Sequence, residues 1–361
     1  MRIVVKVGTS SLTDRTGRVD STAVAALATE VAKVRSMGHQ VLLVSSGAIA
    51  AGLPALGWEQ GERPRDARTL QAVSAVGQAH LVGEWNRAFE LHSLVSGQVL
   101  LAPLDFGHRA QYLQARSTLE RLLEMGVVPV VNENDAIADD EIRFGDNDRI
   151  AALVAQIVGA ELLVLLTDTP GLMDADPRLT SDAALVEEVA EIDRELDRVR
   201  SGAGTTRGSG GMASKLAAAK MASWSGVRCL IASAARPGVL AEAVDGSKGV
   251  GTWVPAHDRH LSARKLWIAF AMPSAGRLVI DDGAVVALTE RGRSLLPAGV
   301  TAVEGTFEAS DAVEIVGLDG QAVAKGIVAA GQREATEAIG RRSDEVGIAE
   351  LVHRDDMVIL T

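Results

Sequence analysis

The sequence predicts an α/β protein, a three-layer αβα sandwich around a mostly parallel sheet, followed by a small, mostly-β domain. Apolar, β-rich runs recur through the first part of the chain, as IVVKV, QVLLVSS, LVSGQVLL, GVVPVV, ELLVLLT and VRCLIAS. Runs this continuous are typical of strands that are buried on both faces of a sheet, and the amphipathic stretches between them predict crossover helices. From Trp267 onward, the strand-like runs are short and turn residues are frequent.

Helix and turn signals mark the individual elements. Asp20 and Ser21 offer an N-cap before the first amphipathic stretch, Gly38 ends it, and Gly126 ends the helix that closes with RLLEMG. The segment Leu318-Asp319-Gly320 predicts a hairpin turn with Asp-Gly at its centre. The polar stretch PAHDRHLSARK lies between the part of the sequence with long apolar runs and the part with short strands and frequent turns. We therefore predict domains at residues 1–255 and 274–361, joined by a linker at 256–273.

Composition excludes several classes of protein. The chain has 361 residues, 47% of them apolar and 23% charged, which is typical of a globular protein of about two domains. We see no signal peptide in MRIVVKVGTS and no apolar run of about 18 residues, so we expect no membrane segment and a cytoplasmic location. A net charge of −11 makes nucleic acid an improbable partner. The lone Cys229 lies in an apolar run and is predicted to be a buried structural thiol.

Two strand ends carry residues suited to an anion. Lys6 lies inside the first apolar run, where an ammonium group is costly to bury unless anions accompany it. Gly8 follows it, and the backbone N–H groups of Gly8, Thr9 and Ser10 could surround an oxyanion. After the second run, Gly47 opens a predicted helix, whose N-terminus is also suited to anions.

Two later segments extend this pattern. TTRGSGGMASKLAAAKMA predicts a glycine-rich loop that leads into a helix, with Lys215 in the first turn. Its GSGGMA fits the dinucleotide fingerprint, but the preceding segment is no strand and no acidic residue follows about twenty positions later. In LLTDTPGLMDADP, a strand runs into Thr167 and Asp168. Since ligands bind beyond the carboxyl ends of parallel strands, these two residues should face the same crevice as Gly8 and Gly47.

An acidic stretch, NENDAIADDEIRFGDND at 132–148, poses a separate question. It holds seven carboxylates and one arginine between two apolar segments. Most charge runs are solvated faces. A surface loop is therefore the simplest interpretation of this stretch taken alone.

Together these segments resemble the amino acid kinase family. The resemblance is carried by KVGTSSL, SSGAIAAG, NENDA, GDND, LLTDTPGL with DADP, and GSGGMASK, in this order and spacing, and it is closest to the members that phosphorylate glutamate. The tail from about Ser274 resembles the PUA domain, a small barrel, so the resemblance covers essentially the whole chain. One departure is Met173, where the family usually has an aromatic residue beside the nucleotide.

The resemblance implies ATP-dependent phosphorylation of the γ-carboxylate of L-glutamate, with Mg²⁺, as the first step of proline synthesis. It implies a catalytic set of Lys6, Lys215 and Asp148, in which Asp148 orients the two lysines. The implied substrate contacts are Ser46, Asp135 and Asn147. The implied nucleotide contacts are Lys6, Gly8, Thr9, Gly47, Thr167, Asp168, Ser209, Gly210, Gly211, Met212, Ala213, Ser214 and Lys215. The five carboxylates without a matched role, for which we predict a solvated loop, are Glu133, Asp139, Asp140, Glu141 and Asp146.

The resemblance also implies partners. We expect a homo-oligomer, feedback inhibition by L-proline, and hand-over of the product to glutamate-5-semialdehyde dehydrogenase.

A kinase of the same family acting on acetylglutamate or aspartate remains the main alternative. An NAD-dependent oxidoreductase and an RNA-binding protein are weaker alternatives; the second is opposed by the tail, where 8 Lys/Arg against 15 Asp/Glu from Arg277 to Thr361 give a net charge of −7. His257 and His260 lie in the polar connector without further ligands, so we predict no protein-bound metal.

Overall fold

The computed structural model of the chain describes residues 1–58, 64–106, 108–137, 147–175, 182–189, 191–200, 209–257 and 261–360. These residues form two compact units, Met1–His260 and Leu261–Thr361. The domain limits at 255 and 274 stay predictions. The predicted linker contains a helix, Ala263–Leu266, followed by a π-helical segment, Trp267–Ala271. Its Leu266 and Ile268 are fully buried, which explains why a segment with a polar start folds.

Seven strands form the sheet of the first unit. They are β1 Arg2–Val7, β2 Gln40–Ser45, β3 Ser96–Leu101, β4 Val128–Glu133, β5 Leu162–Thr167, β6 Arg228–Ser233 and β7 Gly251–Val254. Their order is β3-β4-β2-β1-β5-β6-β7, with the first six strands parallel and β7 antiparallel to β6. The central position of β1 places Lys6 in the middle of the sheet.

Nine helices accompany these strands within the described residues. They are α1 Thr9–Leu12, α2 Ser21–Ser36, α3 Ala48–Ala55, α4 Ala67–Glu90, α5 Arg109–Glu124, α6 Asn147–Ile157, α7 Ile192–Arg200, α8 Ser209–Trp224 and α9 Val239–Asp245. Val24 of α2, Trp85 of α4 and Val239 of α9 share one buried cluster with β1 residues Ile3 and Val5. Helices α6 and α8 pack on each other and contact β5. The predicted three-layer α/β architecture is confirmed.

The predicted helix limits agree with the structure. Asp20 caps α2 by accepting hydrogen bonds from the backbone N–H groups of Thr22 and Ala23. The chain leaves α2 through Gly38 and α5 through Gly126, which have φ of 88° and 75°. These left-handed conformations favour glycine at a helix end.

Helices α3 and α4 pack with almost no space between their backbones. A Cβ atom on Gly77 of α4 would lie 1.7 Å from the carbonyl oxygen of Ala48. Because Ala48 follows Gly47 directly, this contact also fixes the loop after β2.

We expect Gly77→Ala to lower the free energy of unfolding by about 1–3 kcal/mol, since the added methyl group has no room. Gly83→Ala in the same helix is the matched control, because the nearest atom to its added Cβ would be the flexible Arg87 Nη2 at 3.8 Å. The free energy of unfolding of that variant should rise by about 0.5–1 kcal/mol, because alanine has a higher helix propensity than glycine. Urea denaturation measures both. Equal stability of the two variants would contradict the close packing of α3 on α4.

The second unit contains five strands in one mixed sheet. They are β8 Ser274–Ile280, β9 Val300–Gly305, β10 Ala312–Val316, β11 Ala322–Val328 and β12 Val352–Ile359, in the order β12-β11-β10-β8-β9. The longer helices are α11 Asp282–Thr289 and α12 Gln332–Glu337, while α10 Ala263–Leu266 and α13 Ser343–Val346 are single turns. The hairpin between β10 and β11 turns at Gly320, whose φ is 78°. The unit is mostly β, as predicted.

None of the helices within the described ranges is both long and apolar enough to span a bilayer.

Candidate active site

The ends of three strands of the central sheet converge on the candidate site. Lys6 is the penultimate residue of β1, β2 ends at Ser45, and β4 ends at Glu133. Parallel strands present their carboxyl ends at one edge of the sheet, where ligands of such folds bind. The loops after these strands carry the predicted residues Gly8, Thr9, Ser46, Gly47 and Asp135.

A buried trio of charges occupies the floor of the site. Asp148 Oδ1 lies 2.6 Å from Lys6 Nζ, and its Oδ2 lies 3.3 Å from Lys215 Nζ. The three residues are 4%, 5% and 8% exposed, respectively. Burial raises the pKa of Asp148, but the two ammonium groups outweigh burial and hold that pKa below its ordinary range. One carboxylate between two ammonium groups leaves one positive charge in the trio, which suits the binding of an anion.

Lys215 reaches this trio from the second turn of its helix. The sequence predicted the first turn, and that placement is wrong, because Ser209, Gly210 and Gly211 are themselves helical and form the start of α8. Ser214 Oγ also donates to Asp148 Oδ2 at 3.1 Å. Consecutive residues of α8 therefore hold the same carboxylate oxygen.

The loops after β1 and β2 open the site to a cavity. Gly8 is extended before α1, and Gly47 has φ of 109° before α3. A Cβ atom at Gly8 would lie 3.5 Å from Lys6 Nζ, so the glycine keeps a methyl group out of contact with the ammonium group. Residues of both loops, including Thr9, Ser46 and Gly47, line a cavity of about 450 Å³.

The polar wall of this cavity is formed by Ser46, Asn132, Asp135 and Asn147. Asn147 Nδ2 donates to Ser46 Oγ at 3.1 Å and to Asn132 Oδ1 at 3.0 Å. Asn147 is the residue before Asp148, at the start of α6. The chain thus joins the cavity wall to the charged trio through one peptide bond.

Asp135 contributes the carboxylate of the wall. It lies in a short 3₁₀ turn and is 9% exposed, and Ser74 of α4 donates a hydrogen bond to its Oδ2. Burial raises the pKa of Asp135, and the hydrogen bond from Ser74 opposes that rise. A cationic group in the cavity would compensate this buried charge.

The predicted nucleotide contacts lie at the C-terminal end of β5 and the N-terminal end of α8. Thr167 ends β5 and its Oγ1 donates to Asp168 Oδ1 at 3.1 Å. A Cβ atom at Gly211 would have no atom within 4 Å, so the first turn of α8 presents open backbone there. Met212 ends that turn and Ala213 follows it, while the side-chain surroundings of Ser209 and Gly210 lie outside the described structure. Met173 pairs with Leu185 in an isolated bridge.

A sequence profile of the amino acid kinase family matches residues 1–233, and a PUA domain profile matches residues 276–347. The chain belongs to the amino acid kinase family. Proteins named glutamate 5-kinase are similar over nearly its whole length. The protein of Chromobacterium violaceum is 45% identical, covering 99% of this chain and 98% of its own. That of Mycolicibacterium smegmatis is 46% identical, covering 99% and 96%.

Solved structures support the amino acid kinase fold. A carbamate kinase from Giardia lamblia bound to AMP-PNP superposes with a TM-score of 0.51 at 16% identity, covering 70% of this chain and 98% of its own. A UMP kinase from Bacillus anthracis gives 0.50 at 17% identity, covering 71% and 96%. At these identities the likeness concerns the fold alone.

In this amino acid kinase, one residue of the acidic stretch does not lie in the solvated loop that the sequence predicted. Glu133 is 3% exposed at the end of β4, so the predicted solvated position is wrong for this residue. It continues the buried VPVV strand, whose hydrogen bonding to β3 extends to Leu101 opposite Glu133. Asp139, Asp140, Glu141 and Asp146 lie outside the described residues.

Two buried polar residues that contact the cavity wall were missed in the sequence. Ser74 and Gln78 are buried on α4, one turn apart, among Val73, Gly77 and Leu81. A polar pair at positions i and i+4 on the apolar face of a helix is the signal that could have revealed them.

The two remaining predicted features concern Cys229 and His257. Cys229 is fully buried in β6, and burial, followed by the Asp148 carboxylate, raises the pKa of its thiol. His257 lies against the ring of Trp224, with the ring centres 5.6 Å apart, and His260 is outside the described residues. Over the described ranges, no cluster of three or more His, Cys, Asp or Glu side chains could hold a metal ion.

The Ser74 hydrogen bond should control the pH range in which Asp135 is ionised. We expect Ser74→Ala to raise the pKa of Asp135 further, because the bond favours the carboxylate. If ionised Asp135 binds a substrate ammonium, kcat/KM should fall by up to about tenfold on the acid side of the raised pKa, with little loss well above it.

The pH profile of kcat/KM measures this, and Ser36→Ala, which removes an exposed hydroxyl at the end of α2, is the control. An acid limb that does not move to higher pH in Ser74→Ala would contradict the role given to Ser74.

Proposed function

We propose that this chain transfers the γ-phosphoryl group of ATP to the γ-carboxylate of L-glutamate, forming γ-glutamyl phosphate and ADP. The observation that carries the proposal is the Lys6–Asp148–Lys215 trio beside a cavity whose wall holds a buried carboxylate. The relatives named glutamate 5-kinase, which match this chain from end to end, support this choice of substrate.

The charged trio neutralises the negative charge of the phosphoryl group during its transfer. Phosphoryl transfer asks a protein mainly for positioning and for stabilisation of negative charge on the phosphoryl oxygens. Lys6 comes from β1 and Lys215 from α8, so the two ammonium groups approach from different elements and are held by one carboxylate. Mg²⁺ enters as part of the nucleotide substrate and neutralises its β and γ phosphates.

No general base is required for the reaction. A carboxylate is already ionised at neutral pH, so its oxygen attacks the γ-phosphorus directly. The bond between that phosphorus and the oxygen bridging to the β-phosphate breaks, and ADP leaves with the electron pair. The role of the backbone N–H groups at Gly8, Thr9 and Gly47 is to hold phosphoryl oxygens during this transfer.

The polar wall of the cavity binds the α-amino acid part of glutamate. Asp135 receives the α-ammonium group, while Ser46 and Asn147 supply further hydrogen bonds. The ends of β5 and α8 receive the nucleotide, through Thr167, Asp168 and residues 209–215.

The related substrates fit this wall less well. N-acetylglutamate has no ammonium group and would leave the Asp135 charge buried without a partner, which is costly. Aspartate is one methylene shorter than glutamate. Its carboxylate would therefore stop short of the trio when its ammonium group contacts Asp135.

A hydroxylamine assay tests the proposal. The purified chain is incubated with ATP, Mg²⁺ and hydroxylamine, and acyl hydroxamate formation is compared for glutamate, aspartate and N-acetylglutamate. We expect product with glutamate alone. Product with either of the other acids at a comparable rate, or no product with glutamate, would overturn the assignment.

The wider role of the chain follows from the same chemistry. An acyl phosphate hydrolyses readily, so the product should pass quickly to a reductase such as glutamate-5-semialdehyde dehydrogenase in the cytoplasm.

L-Proline carries the same α-carboxylate and a secondary ammonium group, and we propose that it competes with glutamate at Asp135 and Asn147. We also propose that the working protein is a homo-oligomer. Proline titrations at several glutamate concentrations would reveal the competition.

A further inference from the structure

A chain of side-chain amides runs from helix α4 to the cavity wall. Gln78 Oε1 accepts a hydrogen bond from Asn132 Nδ2 at 3.2 Å, and Asn132 Oδ1 accepts one from Asn147 Nδ2 at 3.0 Å. The three amides are 8%, 4% and 4% exposed. Gln78 does not line the cavity, whereas Asn132 and Asn147 do.

The direction of this chain is set by one backbone residue. The backbone N–H of Glu133 donates to Asn132 Oδ1 at 2.9 Å, and the backbone carbonyl of Glu133 accepts from Gln78 Nε2 at 3.3 Å. A backbone N–H can only donate and a backbone carbonyl can only accept. The oxygen of Asn132 and the nitrogen of Gln78 must therefore face Glu133, which removes the usual ambiguity between the two ends of an amide.

The orientation of Asn147 follows from that of Asn132. Since Asn132 presents its oxygen, Asn147 must turn its nitrogen toward it, and the same nitrogen also reaches Ser46 Oγ at 3.1 Å. Asn147 Oδ1 is then the end of the amide that takes no part in these two hydrogen bonds. It is buried, and among the described residues it accepts no hydrogen bond.

A buried acceptor without a donor is costly, and a hydrogen-bond donor from the substrate would remove that cost. We infer that Gln78 is a positioning residue, which holds the amides of Asn132 and Asn147 in the orientation set by Glu133, so that Asn147 offers glutamate an acceptor rather than a donor. This inference rests on the proposed function, because it assumes that the α-ammonium group of glutamate is the donor.

Gln78→Met tests the inference at similar side-chain volume by removing all three hydrogen bonds of the Gln78 amide. They are the bonds to Glu133 and Asn132 and one that Gln78 Oε1 accepts from Gln98 Nε2 at 3.4 Å. Asn132 Nδ2 then loses its acceptor, which is costly for a buried donor, so the amides of Asn132 and Asn147 are no longer held in one orientation. We expect the KM for glutamate to rise by about tenfold, with kcat and the KM for ATP within about twofold of the original values. The matched control is Gln156→Met in α6, whose glutamine accepts from the Tyr112 hydroxyl and lies outside the chain of amides.

Gln78→Glu provides a rescue that depends on pH. A carboxyl group buried against the Glu133 carbonyl has a raised pKa. Below that pKa its O–H can donate to the carbonyl as the amide nitrogen does, and above that pKa the donor is lost. The ratio of the variant's glutamate KM to that of the original protein should therefore be about one at pH 6 and should approach tenfold at pH 8.5, whereas Gln78→Met keeps a constant ratio.

The outcomes separate the inference from the proposed function. If the unaltered protein forms no hydroxamate from glutamate, the proposed function fails. If it does, and Gln78→Met leaves the KM for glutamate unchanged or changes kcat and both KM values together, the positioning role is wrong. A pH-independent ratio for Gln78→Glu also overturns it, and thermal melts of each variant identify a loss of folding.

Discussion

Asp148→Asn lowers kcat by about 10²–10³, the largest effect that we expect from any single substitution in this protein. Asparagine keeps the shape of the side chain but removes the charge that holds Lys6 and Lys215. The two ammonium groups then lie at 5% and 8% exposure without the carboxylate that they share. Their positions matter most when charge develops on the moving phosphoryl group, so kcat should fall far more than the KM for glutamate changes.

Steady-state kinetics with glutamate and ATP varied in turn measures the effect. Asp245→Asn, at the exposed end of α9, is the matched control and should leave both parameters unchanged. A kcat within threefold of the original value, in a variant that still melts cooperatively, would exclude Asp148 as the residue that organises the lysines.

Asp135→Asn raises the KM for glutamate by about ten- to a hundred-fold. Asparagine can still accept the hydrogen bond from Ser74, but it cannot form a charge-assisted bond with the substrate ammonium group, which contributes about 1.5–3 kcal/mol. Since this contact forms in the ground state and persists in the transition state, kcat should change little.

The contrast between the two carboxylates is the informative result. A large fall in kcat for Asp135→Asn with a raised KM for Asp148→Asn would reverse the two roles. Near-original kinetics for both variants would mean that the stretch from Asn132 to Asp148 does not form the site.

The central sheet could be predicted from the sequence because its strands are apolar on both faces. Six of the seven strands were found as continuous apolar runs. The seventh, β7, has four residues and pairs antiparallel at the edge, and so short a run carries too little pattern to separate it from a domain boundary. The lysine inside β1 could be read as an anion site because an isolated ammonium group is costly to bury.

The amide chain could not be predicted, because it depends on contacts between elements far apart in sequence. Gln78 and Asn132 are separated by 54 positions, and Asn147 meets Ser46 across 101 positions. No local pattern specifies such pairs. The helical start of α8 was missed for a different reason: three small residues, Ser209 to Gly211, have low intrinsic helix propensity, and the sequence around them predicts a loop.

The central claim is that an oxygen of the glutamate γ-carboxylate attacks the γ-phosphorus of ATP at the buried trio. Glutamate labelled with ¹⁸O in its γ-carboxylate tests it most directly, when the protein is supplied with ATP, Mg²⁺ and hydroxylamine and the mass of the released phosphate is measured. Because hydroxylamine attacks the carbonyl carbon of the product, the bridging oxygen stays with phosphorus. We expect one ¹⁸O atom in each phosphate released with the hydroxamate; phosphate without ¹⁸O would mean that water, not glutamate, accepts the phosphoryl group.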